Sequence, residues 1–211
     1  MYKAYVFDFD YTLANSEKGI VMCFEMLLAD EGYPRIPKKN ICQTIGMTMH
    51  DAVAELTGET DDTRINELVH LYKIRYSDKY MTANTHLYAQ TRPALEQIKA
   101  QNAFCCIVST KTRSRINQTL QKDHLEALID LVVGIEDVQQ AKPAPDGIQR
   151  VQQFLKISAQ DILYIGDNLI DAQTAVNSGV DFAGVTTGTT TAADFKAWPH
   201  VLIMKDLGDL P

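Results

Sequence analysis

The chain has 211 residues, of which 45% are hydrophobic and 22% charged, and it carries a formal net charge of −7. That composition excludes a disordered chain and suits one large domain, or a core domain that carries a smaller inserted one. A nucleic-acid backbone selects a basic surface, which this acidic chain lacks, and no apolar run approaches the ~18 residues needed to cross a bilayer.

Tyr2 to Phe9 reads as a buried strand, because Tyr5, Val6 and Phe7 form a compact β-favouring run. Residues 16–81 have a different character. Ile20, Cys23, Phe24, Leu27 and Leu28 recur at helical spacing, as do Ala52, Val53 and Leu56 after Thr48. A long third helix is expected over Ile65, Leu68, Val69, Tyr72, Ile74 and Tyr76, opened by Asp61-Asp62-Thr63. After Tyr88 strands and helices alternate. Helices are expected at 93–100, 113–121, 146–156 and 169–178, the last ended by Gly179. Strands are expected at 104–108, 131–134, 162–165, 181–185 and 201–204. This rhythm predicts an α/β protein with a Rossmann-like parallel sheet core and helices on both faces. Residues 1–15 and 82–211 would form the core, and 16–81 an inserted all-helical domain. The run Thr186 to Thr191 is expected to be a loop leading into a helix.

Cys23, Cys42, Cys105 and Cys106 lack the paired spacing of a zinc site and are too few for a disulfide framework, so four reduced, buried thiols are expected. Cys105 and Cys106 adjoin in a strand and should point to opposite faces. The first residues lack a charged segment followed by an apolar stretch and cleavage site, so a soluble cytoplasmic protein is expected.

Four places carry chemistry. In Asp8-x-Asp10-x-Thr12 two carboxylates follow a strand and can share a divalent cation while one attacks an electrophile. Ser109-Thr110-Lys111 closes the strand 104–108, where a hydroxyl and backbone N–H groups can hold phosphate oxygens or cap a helix. Lys142 lies in a loop stiffened by Pro143 and Pro145, in which Asp146 can cap the next helix. In Gly166-Asp167-Asn168-Leu169-Ile170-Asp171, Asp167 can complete an oxygen-ligand site with Asp8 and Asp10, and Asp171 can orient it or cap the helix. Oxygen donors without histidine favour Mg2+ over zinc.

These four places, in this order on these strands, resemble the haloacid dehalogenase superfamily, and most of all its phosphoglycolate phosphatase and β-phosphoglucomutase branch. The resemblance covers essentially the whole chain. It implies an aspartyl-phosphate on Asp8, proton transfer by Asp10, and Mg2+ held by Asp8, the Asp10 backbone carbonyl and Asp167. It further implies that Ser109, Thr110 and Lys142 hold the phosphoryl group, with Thr12 and Asp171 in support. A carboxylate that attacks carbon has no alcohol leaving group to protonate, so Asp10 points to phosphoester chemistry. The segment 16–81 falls where this branch inserts its cap domain, whose specificity loop would include Thr44, Gly46, Met47 and Thr48. Tyr11 stands where many relatives have glycine. The expected activity is a Mg2+-dependent phosphatase for a small phosphorylated metabolite such as phosphoglycolate, a sugar phosphate or a nucleotide, acting as a monomer or homodimer. A phosphosugar mutase uses the same residues, and a non-catalytic phosphate-binding regulator is the reading from another class.

Overall fold

A computed structural model describes residues 2–211. Two compact units are present: one runs to Ala14 and resumes at Leu87–Pro211, and the other is Asn15–His86. The first unit contains strand β1 (Ala4–Phe7). Two short strands, β2 (Ala14–Asn15) and β3 (His86–Leu87), pair where the chain leaves and re-enters it.

The helical unit contains α1 (Glu17–Asp30), α2 (Lys38–Gln43), α3 (Met49–Thr57), α4 (Asp62–Leu71) and the short α5 (Asp78–Tyr80). Thr48 caps α3 by accepting from the Asp51 N–H, and Asp61 caps α4 by accepting from the Thr63 N–H. The long third helix expected from periodicity is not one regular helix. Beyond Leu71 it widens into a π-helix, Tyr72–Ser77, which buries Tyr72, Tyr76 and Ser77 together. Tyr72 packs its ring 4.8 Å from that of Phe24, and the Tyr76 hydroxyl donates to Asp30. The wider turn brings Tyr72 against Phe24 and Tyr76 to Asp30 at the end of α1, a demand that apolar spacing alone does not reveal.

The sheet unit continues with α6 (Thr91–Ala100), β4 (Phe104–Val108), α7 (Arg113–Lys122), β5 (Leu131–Val133) and α8 (Asp146–Leu155). It closes with β6 (Ile162–Gly166), α9 (Leu169–Ser178), β7 (Asp181–Val185), α10 (Ala192–Phe195) and β8 (Leu202–Met204). All six strands of the main sheet are parallel, in the order β5-β4-β1-β6-β7-β8. The strand order thus reverses beside β1, and ligands of open α/β sheets bind outside the carboxyl ends at that switch point.

The alternation of side chains along each strand divides the core in two. Tyr5, Phe7, Cys105, Ile107, Leu163 and Ile165 pack against Leu95 and Ile98 of α6 and Ile116 and Leu120 of α7. Ala4, Val6, Cys106, Val108, Ile162 and Tyr164 pack against Ile148 and Val151 of α8, Ala172 and Ala175 of α9 and Phe195 of α10. Helices therefore cover both faces, and the adjacent cysteines face opposite cores. Burial pushes both thiols up to about 12, so they behave as packing groups. Two local expectations change. β1 ends at Phe7 rather than Phe9, although the Asp8 N–H still donates to the Ile165 carbonyl at 2.9 Å. Asp146 does not cap α8; it lies inside the helix and accepts from the Gln139 and Gln140 N–H groups, bracing the loop before Lys142.

Candidate active site

The central strands deliver their acidic residues to one end of the sheet. Asp8 follows β1 and Asp167 follows β6, its direct neighbour. Both are almost fully buried, as is Asp171 one turn into α9. One carboxylate oxygen from each of Asp8, Asp167 and Asp171 lies within 4.8 Å of the others.

Lys142 enters this cluster from the loop before α8. Its Nζ donates to Asp8 Oδ1 at 2.8 Å and to Asp171 Oδ1 at 2.7 Å, with only 5% of its side chain exposed. The Tyr164 hydroxyl adds a 2.9 Å bond to the same Asp171 oxygen, and the Asn168 N–H donates to the other at 3.1 Å. Asp171 is therefore saturated by its neighbours, which suits a group that holds Lys142 in place. Asp167 accepts from the Thr12 hydroxyl at 3.3 Å.

Burial drives the electrostatics. It pushes the Asp8 carboxyl up to about 6; Lys142 opposes the shift, and the Asp171 charge adds to it. Asp167 is raised well above the usual carboxylate range by burial, then by Asp171 and Asp8. For Lys142 burial acts downward, but Asp171 and Asp8 outweigh it and hold the ammonium well above its ordinary value.

Asp10 lies apart from the three-carboxylate group. Both its oxygens accept from Lys111 Nζ, at 2.9 and 3.0 Å, in a pair only about a tenth exposed. Ser109, buried after β4, accepts from the Lys111 N–H at 3.3 Å through its Oγ. Ser109 and Thr110 line a small crevice with Gly134, Ala141 and Lys142. Sequence reasoning uses Lys111 only for its backbone. Its place two residues beyond the strand-end serine is the available signal, but a single lysine in sequence does not disclose a buried partner. Tyr164 is hidden likewise, since its position in β6 reads as core.

Three buried carboxylates, Asp8, Asp167 and Asp171, thus share one ammonium group, Lys142, while Asp10 is paired with Lys111. A fully ionised cluster is two charges short of neutrality. Hard oxygen donors with that deficit fit a divalent cation, which would oppose the burial and mutual repulsion that raise Asp8 and Asp167.

In the helical unit, Thr44 is buried and its hydroxyl donates to the Ile41 carbonyl at 2.9 Å. Gly46 adopts a φ of 102°, in the region open to glycine, Met47 bonds through its N–H to the Thr44 carbonyl, and Thr48 is the α3 cap. Each of these therefore has a local structural role.

Comparison with known proteins adds an independent line. The family model described as haloacid dehalogenase-like hydrolase matches residues 5–185. The chain is 25% identical over 205 residues to the pyrophosphatase PpaX of Bacillus cereus (strain Q1), covering 97% of this chain and 93% of that protein. It is similar to the crystal structure of a Bacteroides fragilis protein assigned to the haloacid dehalogenase-like hydrolases, with 42% identity, a TM-score of 0.97 and full coverage of both chains. A Lactobacillus plantarum protein assigned as a phosphoglycolate phosphatase shares the fold, with a TM-score of 0.87 at 22% identity over 100% of this chain and 98% of that one. Among the described residues, no helix is long and apolar enough to cross a membrane.

Proposed function

Given that the chain belongs to the haloacid dehalogenase-like hydrolase family, we propose that it is a Mg2+-dependent phosphatase that acts on a small phosphorylated metabolite through an aspartyl-phosphate on Asp8. The observation that carries this reading is the buried cluster at the switch point: a carboxylate beyond β1, a lysine 2.8 Å from it, and a charge deficit that suits one divalent cation.

In the proposed reaction an Asp8 oxygen attacks phosphorus while the bond from phosphorus to the leaving oxygen breaks. Asp10 supplies the proton that the leaving oxygen takes up. Water then attacks the phosphorus of the aspartyl-phosphate, Asp10 takes its proton, and the bond to Asp8 breaks, which releases phosphate and restores the carboxylate. Asp8, Asp167 and the Asp10 backbone carbonyl would hold the cation, which supplies positive charge to the transferring oxygens. Lys142 supplies a second fixed charge, and Ser109 and Thr110 offer hydrogen bonds to the same group. Lys142 is braced by Asp171, which Tyr164 braces in turn, so the positive charge needs little reorganisation during transfer.

In this reading the helical unit is the cap that selects the substrate, through Thr44, Gly46, Met47 and Thr48, and the enzyme works in the cytoplasm as a monomer or homodimer. The substrate panel should hold phosphoglycolate, sugar phosphates and nucleoside monophosphates, and the name of the PpaX relatives adds inorganic pyrophosphate. Phosphate release is measured across this panel with Mg2+, using Asp8→Asn as the blank. At least one substrate should turn over, with a loss on the order of 10⁴-fold or more in Asp8→Asn. Activity unchanged in Asp8→Asn would overturn the proposal, and an isomerised sugar phosphate without phosphate release would assign a mutase instead.

A further inference from the structure

Two features of the sequence have no part in the chemistry above: the threonine-rich run after β7 and the tyrosine at position 11. The structure joins them at the carboxylate cluster. Tyr11 adopts a left-handed backbone with a φ of 61°, uncommon for a residue with a large side chain. Its N–H donates to the Ala14 carbonyl at 2.7 Å, which closes the turn behind Asp8 and Asp10. Its own carbonyl accepts a hydrogen bond from the Thr187 hydroxyl. The Thr187 carbonyl accepts from the Tyr88 hydroxyl at 3.4 Å. The loop after β7 is therefore tied to the turn that carries the two N-terminal acids.

The next residue, Gly188, lies directly on Asp167. A Cβ built at Gly188 would overlap Asp167 Oδ2 and come 2.8 Å from Asp167 Cγ. All three of the nearest atoms it would meet belong to Asp167. The Gly188 φ is outside the left-handed region, so alanine meets no backbone obstacle there. Room for the Asp167 carboxylate is a requirement the structure places on this glycine. Asp167 is thus confined on both sides, with the Thr12 hydroxyl on Oδ1 and the Gly188 backbone against Oδ2. A buried carboxylate confined this way presents one orientation to a cation.

We propose that the loop after β7 is a positioning element for the divalent cation: Thr187 ties it to the Asp8–Thr12 turn, and Gly188 sets the orientation of the Asp167 carboxylate. The inference rests on the reading of Asp167 as a cation ligand. Groups that orient ligands in this manner change metal affinity by about 10–100-fold when altered. Thr187 and Gly188 are positioning residues, since neither is placed against the reacting atoms.

The test is Mg2+ binding by the full chain, read by titration calorimetry and by the rise in Tm on adding Mg2+. Wild type, Gly188→Ala and Thr187→Val are compared. Gly188→Ala should keep its fold without Mg2+ and bind Mg2+ at least ~10-fold more weakly. Thr187→Val keeps the side-chain shape and removes the hydroxyl, so it should weaken binding in the same direction but less. Should Gly188→Ala fail to fold, Thr187→Val alone decides the outcome. Affinities of the folded variants within about twofold of wild type would overturn the inference while leaving the phosphatase reading intact. A wild type that takes up no Mg2+ would overturn the cation site itself, and this inference with it.

Discussion

The two ends of the central sheet carry the same kinds of charge in opposite surroundings. At the carboxyl ends of the strands, Lys142 meets Asp8 and Asp171 with 5% or less of each side chain exposed. At the amino end Lys3 pairs with Asp161 at 3.1 Å, with 64% and 28% of the side chains exposed. The exposed pair forms in water and costs little. The buried cluster requires three carboxylates to lose water together, and two of them respond with raised proton affinity. A fold gains nothing in stability by collecting like charges in its interior, so the contrast fits the proposed function, in which stability at the carboxyl end is given up for chemistry.

The largest test of that contrast removes the lysine. Lys142→Met leaves Asp8 and Asp171 buried without their cation, and should lower stability by about 3–5 kcal/mol in urea unfolding as well as abolish activity. A loss near zero would mean that the cluster is far better hydrated than its burial indicates.

A subtler test uses pH. The Asp8 carboxyl is raised from 3.8 to about 6 in the folded protein, so between those values the native state holds a proton that the unfolded chain has released. Its contribution to stability therefore falls as pH rises through that window and is fully adverse above about 6. Asp8→Asn cannot ionise. Without Mg2+, its stability relative to wild type should be lowest near pH 4 and highest at pH 7, measured by denaturant unfolding at each pH. A flat difference across that range would remove burial of Asp8 as a cause of the strain.

The smallest effect is expected at the amino end. Lys3→Ala should leave the unfolding midpoint almost unchanged, and any loss should shrink in high salt. A cost as large as that of Lys142→Met would erase the distinction between the two ends.

The fold and the site are legible in the sequence to different degrees. The apolar runs at 104–108 and 162–165 are short, compact and β-favouring, which reads as parallel strands, and their ends give the positions of Ser109 and Asp167. The alternation of strands and helices predicts a parallel sheet with right-handed crossovers, but the strand order β5-β4-β1-β6-β7-β8, with its reversal beside β1, comes from the structure. Partnership is far less legible. Lys111 looks like any surface lysine until the fold brings it against Asp10, and Tyr164 looks like core until its hydroxyl meets Asp171. Gly188 falls in a run of threonines with no local signature, because its requirement is set by Asp167, a side chain beyond the end of another strand. The π-helix at Tyr72–Ser77 is concealed for a related reason. Apolar spacing there is compatible with an ordinary helix, and the choice depends on the ring of Phe24 and the carboxylate of Asp30.

The central claim is that Asp8 forms a covalent bond to the transferred phosphoryl group. Borohydride reduces an acyl phosphate to the corresponding alcohol, which converts a phosphorylated aspartate into homoserine. The enzyme is quenched during turnover of the best panel substrate, reduced, digested and sequenced by mass spectrometry. Homoserine is predicted at position 8, dependent on substrate and Mg2+ and absent from Asp8→Asn. Homoserine at Asp10 or Asp167 instead, or steady turnover that never traps position 8, would contradict the claim.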